Sequence, residues 1–543
     1  MLRIHELKLP LDHAEPALRQ AILKRLSIAD QALVSFTVFK RAYDARKTSA
    51  IQLIYTIDAA VKDEAGVLKR LGKDRQIGKT PDMEYRHVAK APSSATRPVV
   101  VGLGPCGLFA GLILAEMGFN PIILERGKIV RERTVDTFRF WRKAILNPAS
   151  NAQFGEGGAG TFSDGKLYSQ IKDPNHLGRK VLKEFVEAGA PEEIIYVSKP
   201  HIGTFRLVSM IEHMRAKIIA LGGEIRFETQ VTDLITEERG GEKHVVALGL
   251  SNGETLAADR VVMALGHSAR DTFEMLHARG VFFEPKPFSI GVRIEHPQSI
   301  IDKARFGECA GHPILGAADY KLAHHASNGR SVYSFCMCPG GTVVAAASEE
   351  GRLVTNGMSQ YSRKERNANS GIVVGVTPED FPGDFRSNPL AGIAFQRHWE
   401  EKAFLAGGSN WFAPGQLVGD FLAQRPSSEL RSVIPSYKPG VTPTDLSLCL
   451  PDYAIAAMRE ALPVFGRQIP NYAMDDAVMT GVETRTSSPV RMTRGADFQS
   501  LNVKGVYPAG EGAGYAGGIL SASVDGIKVA EALAFSVAGK IAA

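Results

Sequence analysis

Val99-Val-Val-Gly-Leu-Gly-Pro-Cys-Gly-Leu-Phe-Ala-Gly-Leu-Ile-Leu-Ala-Glu-Met-Gly-Phe-Asn-Pro-Ile-Ile-Leu-Glu125 is the stretch that decides the fold. A β-branched run, Val99 to Val101, enters Gly102-x-Gly104-x-x-Gly107. An apolar helical stretch follows, then a second buried strand from Pro121 to Leu124 that ends at Glu125. In such a βαβ unit the first glycine allows a tight turn, and the second lets the backbone approach a pyrophosphate. The third lets helix and strand pack closely. The helix N-terminus offers free N–H groups and a partial positive charge to the phosphates. Glu125 stands 23 positions after Gly102, close to the offset of about 20 expected of a ribose-binding acid.

Two other stretches share the spelling, Gly155-Glu-Gly157-Gly-Ala-Gly160 and Gly512-Ala-Gly514-Tyr-Ala-Gly517. Neither is followed by a helix, a strand and an acid at the right offset. They read as loops where glycine lets the backbone touch a ligand, not as second dinucleotide folds.

The 543 residues call for two to four domains. No apolar run reaches about 18 residues, so no membrane span is expected. The start, Met1-Leu-Arg-Ile-His-Glu-Leu-Lys8, lacks the apolar core of a signal peptide. Five cysteines without framework spacing indicate a reducing compartment, and the expected location is cytoplasmic. The net charge of +6 lies in residues 1–95, which hold 17 Lys+Arg against 11 Asp+Glu; the remainder is balanced. A solvated basic face is the first reading of that excess, and a nucleic-acid surface the second.

Residues 1–95 read as a small α+β module, with strands at Leu2 to Leu9, Val34 to Val38 and Ile51 to Ile57. Helices are expected at Glu15 to Leu26 and Asp63 to Leu71. A polar linker, Ala91 to Pro98, leads into the βαβ unit. Beyond it, residues 131–146 and 205–222 read as helices. Strands are expected at Glu224 to Thr236, Val245 to Leu250 and Arg260 to Ala264. The pattern is mixed from about 285 to 470. A final helix is expected from Ile519 to about Phe535.

Four segments occur in one order: Gly102–Gly107 with Gly111 and Gly118, Glu125-Arg-Gly127, Val261-Val-Met-Ala-Leu-Gly266 and Gly505-Val-Tyr-Pro-Ala-Gly-Glu511. The chain thereby resembles the two-dinucleotide-binding-domain flavoproteins. Within them it resembles a family of largely uncharacterised bacterial FAD-dependent dehydrogenases. That closer likeness rests on the loop 154–167, Lys199-Pro-His-Ile-Gly203, Cys336-Met-Cys-Pro-Gly-Gly341 and Gly481-Val-Glu-Thr-Arg-Thr-Ser-Ser-Pro489. The resemblance implies an α/β fold in which a discontinuous Rossmann-like FAD-binding domain carries an inserted substrate or cap domain. The corresponding division is 1–95, 96–284, 285–470 and 471–543. FAD is the implied cofactor, with NAD(P)H as a transient electron donor at most, because no second Rossmann motif is present.

The resemblance also implies roles. Glu125 would accept the adenosine ribose hydroxyls, Val231 would hold the adenine edge, and Leu265 and Gly266 would pass the adenosine end. Glu511 would lie near the ribityl chain and flavin phosphate. Gly517, Gly518 and Ile519 would present a helix N-terminus to the flavin pyrimidine. Pro105, Cys106, Arg126, Gly158 and Gly510 complete the implied cofactor set.

A dehydrogenase needs a substrate C–H or N–H aimed at flavin N5 and often a base. His201 and Arg485 are the preferred candidates, followed by Lys166 and Glu483, with Asp164 in the same glycine-rich loop. Arginine suits an anionic substrate because its fork binds carboxylate. Cys336-x-Cys338 is too sparse for zinc and reads as buried small residues. Disulfide reductases of the superfamily carry Cys-x-x-x-x-Cys in the first helix, where this chain has only Cys106. The expected activity is oxidoreduction of a small polar or anionic molecule, with no metal and no membrane partner. The alternatives are an RNA-docking flavoprotein and a flavin-binding protein without turnover.

Overall fold

The computed structural model describes residues 1–538. A five-stranded parallel sheet is ordered Val506–Pro508, Val261–Met263, Val99–Val101, Ile122–Leu124, Glu224–Arg226. The C-terminal strand thus returns beside a strand some 240 residues earlier, which makes the domain discontinuous in sequence. The helix Pro105–Glu116 is buried along Cys106 to Ala115, as expected of a helix apolar on all sides. It lies between this sheet and the helix Ile519–Ala538, and the two helices touch where Gly526 meets the Cys106 carbonyl.

The expected strand Glu224 to Thr236 is two strands in two sheets. Glu224–Arg226 ends the parallel sheet, and Val231–Arg239 starts an antiparallel hairpin with Glu242–Leu250. The chain breaks between them at Glu228, whose φ is 52°. Glu228 and Thr229 donate to the carbonyls of Gly127 and Glu125, not to a ladder partner.

Residues 288–483 build an eight-stranded sheet, antiparallel except where Ala413–Leu417 meets Val441–Pro443. Its middle strand Phe288–Pro297 pairs with Asn367–Val376 and Val478–Glu483 and is buried along nearly its whole length. A strand buried on both faces shows no apolar–polar alternation, which is why this region looked unpatterned in sequence. The N-terminal module is a four-stranded antiparallel sheet, ordered Leu33–Asp44, Gln52–Val61, Leu2–Pro10, Ile77–Lys79. Its core runs continuously into that of the large sheet. Arg41 exchanges backbone hydrogen bonds with Tyr196 and Ser198, which ties the module to the body. No helix among the described residues is long and apolar enough to cross a membrane.

Candidate functional site

One elongated cleft of about 1560 Å³, counted out to its open mouth, runs past the C-terminal ends of the parallel strands and reaches the large antiparallel sheet. Ligands of open α/β sheets bind at this edge, because the loops leaving the strands carry free backbone groups there.

The first half of the cleft is mostly backbone. Gly107 lets its helix start hard against the preceding turn, since a Cβ there would lie 1.9 Å from the Gly102 carbonyl oxygen. The helix begins at Pro105 with no side-chain cap, so its first N–H groups remain available to an anion. The loop 154–160 forms the facing wall. Gly158, at φ 61°, comes so close to the first turn that a Cβ would stand 2.8 Å from the Gly104 Cα. Arg133, fully buried, donates to the carbonyls of Asn151, Ala152 and Glu156 and holds this loop from behind.

Glu125 ties the two walls together. Its carboxylate accepts from the backbone N–H of Leu103 (2.9 Å), Gly127 (2.9 Å) and Gly155 (3.0 Å). Each carboxylate oxygen has two lone pairs, so acceptor capacity remains for a ribose. Arg126 lies over the Phe154 ring at 4.3 Å and pairs with Asp271, which makes a flat wall near Val231 and Gln230. At Gly266 a Cβ would meet nothing within 4 Å, so the cleft floor there is open beside bare backbone. An uncapped helix start, a glycine-lined floor and a carboxylate at the strand end fit an extended dinucleotide such as FAD.

In the middle of the cleft Gly517, Gly518 and Ile519 open the C-terminal helix. Glu511 stands beside them and accepts from the Ser488 N–H at 3.0 Å. Burial pushes its carboxyl up to about 7, against the opposing effects of that hydrogen bond and of Lys286.

The far half is made of charged side chains, most of which already have partners. Arg485 reaches the cleft, but its Nε and Nη2 donate to Glu400 and its Nη1 to Ser268 and Ser348. Arg270 grips the same Glu400. The fork expected for a substrate carboxylate is therefore spent inside the protein. Glu483 is paired with Arg293 (2.5 Å), and Asp164 with Arg363. Burial works against ionisation of Asp164, yet Arg363 and Lys166 hold its carboxyl at about 2. Lys166 is less committed: Nζ donates to the Met337 carbonyl and lies 3.7 Å from Asp164.

Of the expected cofactor residues, Gly102, Gly104, Pro105, Cys106, Glu125, Arg126, Gly158, Val231, Leu265, Gly266, Glu511, Gly517, Gly518 and Ile519 all line this cleft. Gly107 and Gly510 lie beneath it; the Gly510 N–H donates to Asp525. Lys166, Glu483 and Arg485 line the far end, whereas His201 does not. His201 sits behind Lys166, stacked on Tyr361 and bonded to its carbonyl at 3.0 Å. Burial, with Arg363 nearby, lowers its pKa to about 4, so it is neutral at physiological pH.

The cysteine pair departs from its expected place. Only Cys338 is buried; Cys336 is half-buried and lines the cleft. Asn356 and His267 line it as well. No local signal marked Asn356. His267 stood in the strand-end segment Ala264 to Arg270, where a position after a parallel strand was the available clue.

A family model described as "FAD-dependent protein, C-terminal domain-like" matches residues 287–486. A second model, of a domain of unknown function, matches residues 1–60. A protein of Clostridium beijerinckii, described as uncharacterized, is 48% identical over 532 residues, 98% of each chain. Among solved structures, glycine oxidase from Geobacillus kaustophilus is 12% identical, covering 82% of this chain and 95% of that one, with a TM-score of 0.35. L-proline dehydrogenase from P. horikoshii is also 12% identical, covering 82% and 94%, with a TM-score of 0.36.

Proposed function

The chain belongs to a family of FAD-dependent oxidoreductases shared with the clostridial relative, and on that premise we propose that it oxidises or reduces a small polar or anionic molecule at the far end of its cleft. One observation carries the reading: a backbone-lined dinucleotide cradle runs without interruption into a pocket of polar side chains supplied by the antiparallel sheet. Bound in that cradle, the isoalloxazine would supply two-electron chemistry.

The residues do the rest. Glu125 and the helix start at Pro105 hold the adenosine and pyrophosphate. The N-terminus of the helix at Ile519 favours negative charge beside it. Lys166 is the cation best placed to meet an anionic substrate, because Asp164 is already committed to Arg363. Asn356 offers a neutral donor and acceptor at the same end. Arg485 and Glu400 fix the wall without touching the substrate's charge.

The test is an absorbance spectrum of the purified chain, followed by anaerobic addition first of NADH or NADPH and then of small anionic metabolites. Oxidised-flavin bands near ~370 and ~450 nm are expected, as properties of the cofactor. They should persist with nicotinamides and bleach with a carboxylate or phosphate compound. Bleaching by NADH within seconds would assign the reducing direction, with nicotinamide as the electron donor and the small molecule as the acceptor. A colourless chain that cannot be reconstituted with FAD would overturn this reading.

A further inference from the structure

We propose that Cys336 and Cys338 form a redox-active dithiol on the cleft wall, Cys336 being the reactive thiolate, and that they exchange an electron pair with the bound cofactor. The proposal rests on the reading that FAD occupies the cleft.

Backbone geometry sets the pair apart from ordinary core cysteines. The strand Ser331–Ala345 loses register against Asn367–Val376 between Phe335 and Cys338. Cys336 sits in that irregularity at φ 42°, a conformation that residues with a Cβ avoid unless their surroundings impose it. Bulges of this kind re-aim side chains and recur beside active sites. Here Cys336 meets the cleft while Cys338 stays buried. The Cys338 thiol turns back on its neighbour and donates to the Cys336 carbonyl oxygen at 3.3 Å. Space for that sulfur comes from Gly357, where a Cβ would be 3.0 Å from Cys338 Sγ.

Charge is arranged to match. Lys166 reaches across from the loop 154–167 to the carbonyl of Met337, the residue between the two cysteines. Arg293 donates to the Cys336 carbonyl at 2.9 Å. The negative groups facing them, Glu483 and Asp164, are paired with Arg293 and Arg363, and Tyr168 stands nearby. The neighbouring Cys338 thiol, then Lys166 and Arg293, draw the Cys336 thiol well below its ordinary range against the cost of burial. Cys338 is pushed up by its neighbour Cys336 and by burial, so it keeps its proton. A small residue needed only for packing would require neither the strained backbone nor the cations.

The step balances without an outside reagent. The Cys336 thiolate and the Cys338 thiol join in an S–S bond, releasing one proton and two electrons. Both electrons and that proton would pass to oxidised FAD bound in the cleft. In the disulfide state the thiolate charge is gone, and Lys166 faces the cleft unneutralised.

The full-length FAD-loaded chain, its thiols reduced with a phosphine that is then removed and its flavin left oxidised, is held anaerobically and followed by absorbance. Its thiols are then trapped with iodoacetamide and located by peptide mapping. Expected first is an absorbance band at longer wavelength than the flavin's own, from a thiolate beside oxidised flavin; as that band fades, the flavin's own bands bleach and alkylation at positions 336 and 338 is lost together. The peptide carrying both cysteines should then be lighter by two hydrogens. Cys338→Ser keeps the band and forms no disulfide; Cys336→Ser loses both. In wild type Cys336 is alkylated at pH 6 at least ~10-fold faster than in Lys166→Met, as expected when a cation maintains the thiolate. Full alkylation of both cysteines after incubation, with no long-wavelength band, overturns the proposal. An ordinary-thiol pH profile at Cys336, read in the wild-type chain, does so too. A chain that holds no flavin overturns the cofactor reading and the electron exchange with it. The missing flavin spectrum tells that case from failure of the dithiol alone.

Discussion

The two ends of the cleft are built from different materials. At the adenosine end, glycines, a helix start and one carboxylate present backbone groups to the ligand. At the far end, buried charges face one another first and the cleft second: Arg270 and Arg485 share Glu400, Arg293 holds Glu483, and Arg363 holds Asp164. A ligand of constant shape can be held by backbone alone, whatever side chains surround it. A substrate pocket needs positioned charges, and in a dry interior each must be neutralised by another residue. The first end therefore depends on the absence of side chains, and the second on complete sets of them.

Removing one member of a set should have the largest effect. Glu400→Ala leaves Arg485 without its close counter-charge and Arg270 with Glu349 alone, and should cost about 3–5 kcal/mol of stability. Thermal or denaturant unfolding measures it, and a cost under about 1 kcal/mol would mean that water, or Glu349 drawn closer to Arg485, completes the pairing. The matching insult at the other end is Gly107→Ala. Its added carbon meets a backbone carbonyl that cannot swing away, so about 1–3 kcal/mol of strain is expected, together with loss of retained flavin. Retention of the full flavin absorbance in that variant would show that the helix start can shift without harm.

Glu511, between the two ends, predicts a pH effect. Its carboxyl ordinarily titrates near 4.5 and in the fold near 7. The folded chain therefore binds the extra proton, and the contribution is complete below about 4.5 and lost as pH rises through about 7. Glu511→Gln should remove that slope, leaving the flavin-free variant more stable than wild type above pH 7 by on the order of 2 kcal/mol. An unchanged pH profile would place the titration elsewhere. The smallest effect is expected of Arg126→Ala. Losing its stack on Phe154 should weaken FAD binding by about 0.5–1 kcal/mol, measurable by flavin fluorescence titration.

Legibility followed the same division. The strand, glycine turn, helix and acid of residues 99–125 lie close in sequence, so their joint purpose could be read locally. The return of residues 505–519 to the same cleft came through resemblance to flavoproteins. The strands Phe288–Pro297 and Asn367–Val376 were not legible, because burial on both faces erases alternation. Arg485 looked free in sequence and is spent on Glu400, 85 positions away. His201 looked like a base and stands behind Lys166, neutral and bonded to Tyr361. Cys336 looked like core filling, and a strand irregularity brings it to the cleft wall.

From its sequence alone, then, this protein had to contain a dinucleotide cradle, because glycine spacing and backbone geometry are local properties. Which charges face the substrate and which merely neutralise one another was decided only by the tertiary structure. Pairing in a low-dielectric interior depends on distances between residues that lie tens to hundreds of positions apart in the chain.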